Sequence, residues 1–331
     1  MGGSLDERTG RRNYNAAVDL IDRNVAEGRG EKLAYIDPAR RITYAELADS
    51  AARVGPMLAR LGLQREDRIA MLMLDTVEFP ILFWGAIRAG IIPIPLNTLL
   101  PVEQFHYILE DSRAKALFVA PPLLKVAETA STGIATLKNL VLISGEPSQH
   151  ASLDELLQNE SAAEPADTCG DEVAFWLYSS GSTGMPKGVR HVHTSPMNTA
   201  RLYANNVLRI TKNDVCFSAG KLYHAYGLGN GMSFPMSVGA TAVLLPDRPT
   251  PGAILEVLGL TEVAAVPAGG LTPARQRLLE IGMALGARPR VLLLDEVAAG
   301  LTHAEVENCA QLIRRLRDQL GAQRHDGVRI D

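Results

Sequence analysis

Residues 173–188 read VAFWLYSSGSTGMPKG, an apolar run from Val173 to Leu177 followed by Tyr178-Ser179-Ser180-Gly181-Ser182-Thr183-Gly184-Met185-Pro186-Lys187-Gly188. The run has the length of a buried strand. The loop after it holds three glycines, four Ser/Thr hydroxyls and one lysine in eleven positions. Glycine lets the backbone take positive φ and turn its N–H groups inward as an anion nest. Ser and Thr add hydroxyl donors, Lys187 adds a mobile positive charge, and Pro186 stiffens the exit. The candidate phosphate-binding residues are Ser179, Ser180, Gly181, Ser182, Thr183, Gly184, Lys187 and Gly188, the glycines serving the turn itself. By composition alone a plain Ser/Gly surface loop is the alternative. No Gly-Lys-Ser/Thr follows at Walker A spacing.

Upstream, helix and strand signals alternate. An amphipathic helix over 15–27 precedes short strands at Leu33–Ile36 and Arg41–Tyr44, parted by an Asp-Pro turn. Thr43 and Glu46 form a capping-box pair. The helix they open carries Leu47, Ala51, Val54, Leu58 and Leu61 on one stripe, and Gly62 stops it. A buried strand over Arg68–Leu74, a helix over 76–89, a strand-like Ile91–Pro95, a helix over Pro101–Asp111 and a strand at Ala116–Val119 follow. Residues 145–171 read as polar loop with room for one short helix, and a helix is expected near 195–208. The pattern is that of an α/β fold, a parallel sheet covered by helices.

The 331 residues suggest about two domains. A net charge of −4 leaves no basic surplus for nucleic acid as main partner. Cys169, Cys216 and Cys309 are few and scattered, with neither disulfide nor zinc spacing, which fits a reducing cytoplasm. The N-terminus has charge but no apolar core, so no signal peptide is read. The longest apolar stretch, Ile69–Ile94, is interrupted by Asp75, Glu78, Pro80, Arg88 and Pro93, so no membrane insertion is expected.

The loop YSSGSTGMPKG followed by VRHVH resembles the phosphate loop of the adenylate-forming acyl-CoA synthetases. ITYAEL at 42–47 and FWGAIRAGIIPIPLN at 83–97 are similar to other signatures of that family. KLYHAYGLGNG at 221–231, with FPMSVGATAVLL at 234–245, resembles the aryl-CoA ligases of benzoate type. The resemblance covers residues 14 to 251. It implies the N-terminal domain of such a ligase, with ATP, Mg²⁺ and CoA as cofactor and co-substrates and a small aromatic carboxylic acid as substrate. The phosphate loop would close over the β- and γ-phosphates. His224, Ala225, Tyr226 and Gly227 would line the acid pocket, although benzoate-type members tend to carry an aromatic where His224 stands. The bland alternative for His224 and Tyr226 is a packed residue with one hydrogen bond. His191 and His193, two apart on a strand, share a face but lack a third metal ligand.

After Pro251 the sequence changes character. Residues 259–321 resemble the ATP-binding subunits of ABC transporters of the branched-chain amino acid type. RVLLLDE at 290–296 is similar to a Walker B strand, which implies Mg²⁺ at Asp295 and a water-polarising Glu296. Ala299-Gly300-Leu301-Thr302 matches a D-loop. Leu271–Gln276 sits at the signature position without its paired glycines. No Walker A occurs, so nucleotide action there requires a partner, with membrane transporter subunits to dock on. The ligase portion in turn shows no Tyr-Gly-Ser-Thr-Glu, no Thr-Gly-Asp, no hinge and no late lysine.

The expected organisation is a flexible 1–13, a truncated ligase domain over 14–254, an ABC ATPase-like helix-strand-helix unit of P-loop-NTPase type over 255–321, and a tail over 322–331. The chain reads as a chimera joined between Pro251 and Gly259, with no complete catalytic set and no activity alone. A transporter ATPase fragment and a non-functional product are the rivals.

Overall fold

The computed structural model describes residues 13–144, 150–179 and 185–247. The chain divides into two units, Met1–Pro246 and Asp247–Asp331. The Pro251–Gly259 join, Asp295 and Glu296 lie outside the described residues.

Ten strands are described: β1 (Leu33–Ile36), β2 (Arg41–Thr43), β3 (Arg68–Leu72), β4 (Ile92–Pro95), β5 (Ala116–Val119), β6 (Asn139–Leu142), β7 (Val173–Ser179), β8 (Lys187–Val192), β9 (Val215–Phe217) and β10 (Thr241–Val243). They form one sheet of order β2-β1-β10-β9, a second of order β4-β3-β5-β6, and the pair β7-β8. The second sheet is parallel throughout, with Ala70 opposite both Ile94 and Leu117. In the first, β1 and β2 run antiparallel while β1, β10 and β9 run parallel.

The second sheet is covered on both faces, which is why its strands are apolar at successive positions. Ile69 and Met71 of β3 join one core with the helices Tyr44–Arg60 and Glu78–Arg88. Ala70 and Leu72 face a second core with the helix Val102–Ser112. Trp84, Phe79 and Phe83 are fully buried in the first.

The capping box forms as expected. Thr43 Oγ1 accepts from the Glu46 amide, and the Glu46 carboxylate accepts from the Thr43 amide at 2.7 Å. Leu47, Ala51, Val54 and Leu58 are buried on the expected stripe. Gly62 ends the turn at φ 82°, a value that side chains disfavour. A second capping box, Ser152 with Glu155, opens the one short helix inside 145–171, Leu153–Gln158.

Three features depart from the expected parallel sheet. Among the described residues there are two four-stranded sheets, the first of them mixed, besides the β7–β8 pair. Strand β6 is present where none was read. Residues 187–192 form β8 and turn the phosphate-loop stretch into an antiparallel hairpin before the helical segment at 194–208 begins. Among the described residues no helix is long and apolar enough to cross a membrane.

Candidate functional site

The hairpin fixes both ends of the glycine-rich loop. Ser179 lies opposite Lys187, and Tyr178 opposite Gly188. Ser180, Gly181, Ser182, Thr183 and Gly184 lie outside the described residues. Alternation along β7 divides its side chains by face. Phe175 and Leu177 enter the first core, while Trp176 and Tyr178 pack against the second. The strand β7 lies against β4. The Tyr178 hydroxyl donates to Asp111 at the end of helix Val102–Ser112. Burial, then this carboxylate, holds the phenol above its ordinary range, so it remains a donor.

Beside the hairpin base opens a cleft of about 770 Å³, lined among others by Arg68, Tyr107, Arg113, Trp176, Lys187 and Arg190. Its one carboxylate, Asp111, is engaged by Tyr178. The surroundings of Lys187 are therefore cationic and suit a polyanion.

The second group of candidates is held by a short helix. His224 is its N-cap residue, with extended backbone at φ −102° and ψ 147°, and Ala225–Leu228 forms the helix. The His224 amide donates to the Lys221 carbonyl at 3.0 Å, and the Leu228 amide to the His224 carbonyl at 2.8 Å. The His224 ring meets Tyr223 edge-on at 4.6 Å. His224 is exposed, and partial desolvation lowers its pKa, which favours the neutral imidazole. Tyr226 is 45% exposed. A side chain at 227 would collide with the Lys221 carbonyl, so the close approach there requires glycine.

This segment is tied to chain leaving the carboxyl ends of two parallel strands. The Leu222 amide reaches Asp75 after β3, and Lys221 Nζ donates to Leu245 O after β10. Ligands of open α/β sheets bind outside such ends.

The two histidines do not act as a pair. His191 lies on β8 and stacks on Phe175 at 4.7 Å. His193 follows the strand, is buried, and accepts the Ala16 amide through Nδ1 at 3.2 Å. Burial pushes its pKa down to about 4, the mark of a structural neutral imidazole. Among the described residues no group of three His, Cys, Asp or Glu side chains could hold a metal.

Sequence reasoning treated Asp75 only as an interruption of an apolar run, and it gave Lys221 no role. The signal was present: a carboxylate just past a buried strand seldom serves packing.

In this α/β domain a hairpin flanking the Ser/Gly stretch thus lies beside a cationic cleft, and the segment 221–228 lies at the strand ends. The AMP-binding enzyme family matches residues 22–270, and the chain belongs to that family. It is 52% identical over 263 residues to a 4-hydroxybenzoate–CoA/benzoate–CoA ligase of Rhodopseudomonas palustris, covering 77% of this chain and 48% of the relative. The crystal structure of a benzoate CoA ligase from Burkholderia xenovorans LB400 superposes with TM-score 0.68 at 42% identity, covering 74% of this chain and 48% of that one. An anthranilate CoA ligase, AuaEII, solved with anthranoyl-AMP, gives TM-score 0.71 at 32% identity, over 75% and 48%. The chain thus spans about half the length of the relatives it matches.

Proposed function

We propose that this chain is the acid- and phosphate-binding part of an aryl-CoA ligase of benzoate type. In the complete reaction an aromatic carboxylate attacks the α-phosphorus of ATP, giving an acyl-adenylate and pyrophosphate. The CoA thiol then attacks the acyl carbon, and AMP leaves. The observation that carries the reading is the joint presence, in a single domain, of the Ser/Gly hairpin and the YHAYG wall at 223–227, in a chain 52% identical to a benzoate-type ligase.

Lys187, at the base of the hairpin, offsets charge on the phosphates and steadies pyrophosphate as it leaves. The loop hydroxyls of Ser180, Ser182 and Thr183 and its backbone amides share that role. The wall from His224 to Gly227 excludes water from one side of the aryl ring. Mg²⁺ would enter with ATP, held chiefly by its phosphates. The 331 residues contain no Tyr-Gly-Ser-Thr-Glu, Thr-Gly-Asp or late-lysine segment, so the chain binds its ligands but does not turn them over. For residues 259–321, of which the family match reaches the first twelve, the Walker B-like RVLLLDE at 290–296 supports an ABC ATPase-like segment, with Asp295 and Glu296 active only beside a partner that supplies a Walker A.

Calorimetric titration of the purified chain tests the ligase reading. Benzoate and ATP are expected to bind while octanoate does not, and benzoate-dependent pyrophosphate exchange is expected to stay at background. Binding of neither ligand overturns it.

A further inference from the structure

His224, Ala225 and Tyr226 are exposed, and the backbone of the segment from His224 to Gly227 is tied to Lys221. The carbonyl of Lys221 accepts the His224 amide at 3.0 Å and abuts Gly227 so closely that no Cβ fits between them. Any displacement of Lys221 therefore passes directly to the wall.

The Lys221 side chain is anchored in turn. Its ammonium donates to Leu245 O at 2.6 Å and Pro246 O at 3.2 Å, and stands 3.7 Å from Asp75 Oδ2. Asp75 is 5% exposed, and both its oxygens lie 3.4 Å from the Leu222 amide. One buried carboxylate thus holds the side chain of residue 221 and the backbone of residue 222. Both interactions are long, so the anchor is sensitive to loss of charge.

A buried ion pair contributes little net stability compared with apolar residues of the same shape. Its value here is geometric. We infer that Asp75 and Lys221 are positioning residues for the aryl-acid pocket, a buried strut that fixes the wall from His224 to Gly227 against the ends of β3 and β10. This rests on the reading of that wall as the acid pocket.

Among the described residues the titratable and charged groups facing Asp75 are Lys221 and Tyr223. Burial raises the Asp75 carboxyl to about 6, while Lys221 draws it back down. Protonation near that pH removes the charge that holds Lys221, so the strut loosens as pH falls.

The test is a ¹⁹F NMR titration of the full 331-residue chain with 4-fluorobenzoate. Asp75→Asn and Lys221→Met are expected to weaken binding about tenfold or more while the melting transition stays cooperative. Lys221→Arg, which keeps the charge, is expected to recover most of the loss. Wild-type affinity is expected to fall between about pH 7 and pH 5, and Asp75→Asn to give a flat profile over that range. Wild-type affinity in both Asp75→Asn and Lys221→Met, or a flat wild-type profile, overturns the strut but leaves the pocket. Absence of 4-fluorobenzoate binding by the wild type overturns both.

Discussion

The hydroxyl of Tyr178 donates to the carboxylate of Asp111, fastening the base of the β7–β8 hairpin to the end of helix Val102–Ser112. These residues are 67 apart in sequence, so the bond joins two segments that nothing local brings together. Tyr178→Phe keeps the ring against the second core and removes only the donor. The expected cost is about 1 kcal/mol, reduced by partial exposure and measured by urea unfolding. ATP affinity is expected to fall alongside it, because the loop is held from this base.

Lys187→Ala removes the cation at the loop exit. ATP affinity is expected to drop about tenfold at low salt, with the gap to wild type narrowing as ionic strength rises. Calorimetry at two salt concentrations checks this. An effect independent of salt would place Lys187 in packing instead.

Gly227→Ala forces a methyl group into the Lys221 carbonyl. Such overpacking typically costs about 1–3 kcal/mol. A lower melting temperature, together with loss of 4-fluorobenzoate binding, is the expected result. Ala225→Gly, on the same short helix but without a collision, should lose much less.

Two buried groups oppose each other in acid. His193 has its folded pKa depressed to about 4 from an ordinary 6.5, so it resists protonation in the fold. Its contribution is present above the unfolded value and is lost as pH falls toward 4. Asp75 has its folded pKa raised to about 6 from 3.8, so its contribution is present below the unfolded value and is lost as pH rises through 6. Each shift corresponds to roughly 3 kcal/mol, with opposite sign. Between about pH 6 and pH 4 the two nearly cancel. Asp75→Asn is expected to lose stability steeply with acid over this range. His193→Gln is expected to gain it. Denaturant midpoints across pH distinguish the two slopes.

The elements that were legible in the sequence are those with an apolar rhythm. The helix Tyr44–Arg60 announced itself by its stripe and its capping box, and β3 and β5 by unbroken apolar runs that the two cores explain. Of strand β8 only the stretch at His191 was read as strand; Lys187–Arg190 was not, because it is exposed and carries no alternation. The loop 178–188 was found by its residues, but that it closes a hairpin depended on β8. Asp75 and Lys221 were missed for a different reason. Asp75 carried a local signal, a carboxylate just past a buried strand, but its pairing with Lys221 emerges only once the ends of β3 and β10 are brought to the same place.

The two sheets differ in how far along the chain they must reach for their strands. The second draws β3 to β6 from residues 68–142 alone, whereas β1 finds its parallel neighbour at Thr241–Val243, with Tyr35 opposite Ala242. Contacts this distant in sequence slow folding, and domains assemble in the order they are synthesised. A nascent chain can therefore complete the second sheet while β1 and β2 still wait as a lone hairpin. β10, the last strand among the described residues, closes the first sheet, and Leu245 just after it supplies the carbonyl on which Lys221 rests. Closure of that sheet and placement of the segment from His224 to Gly227 are thus one event.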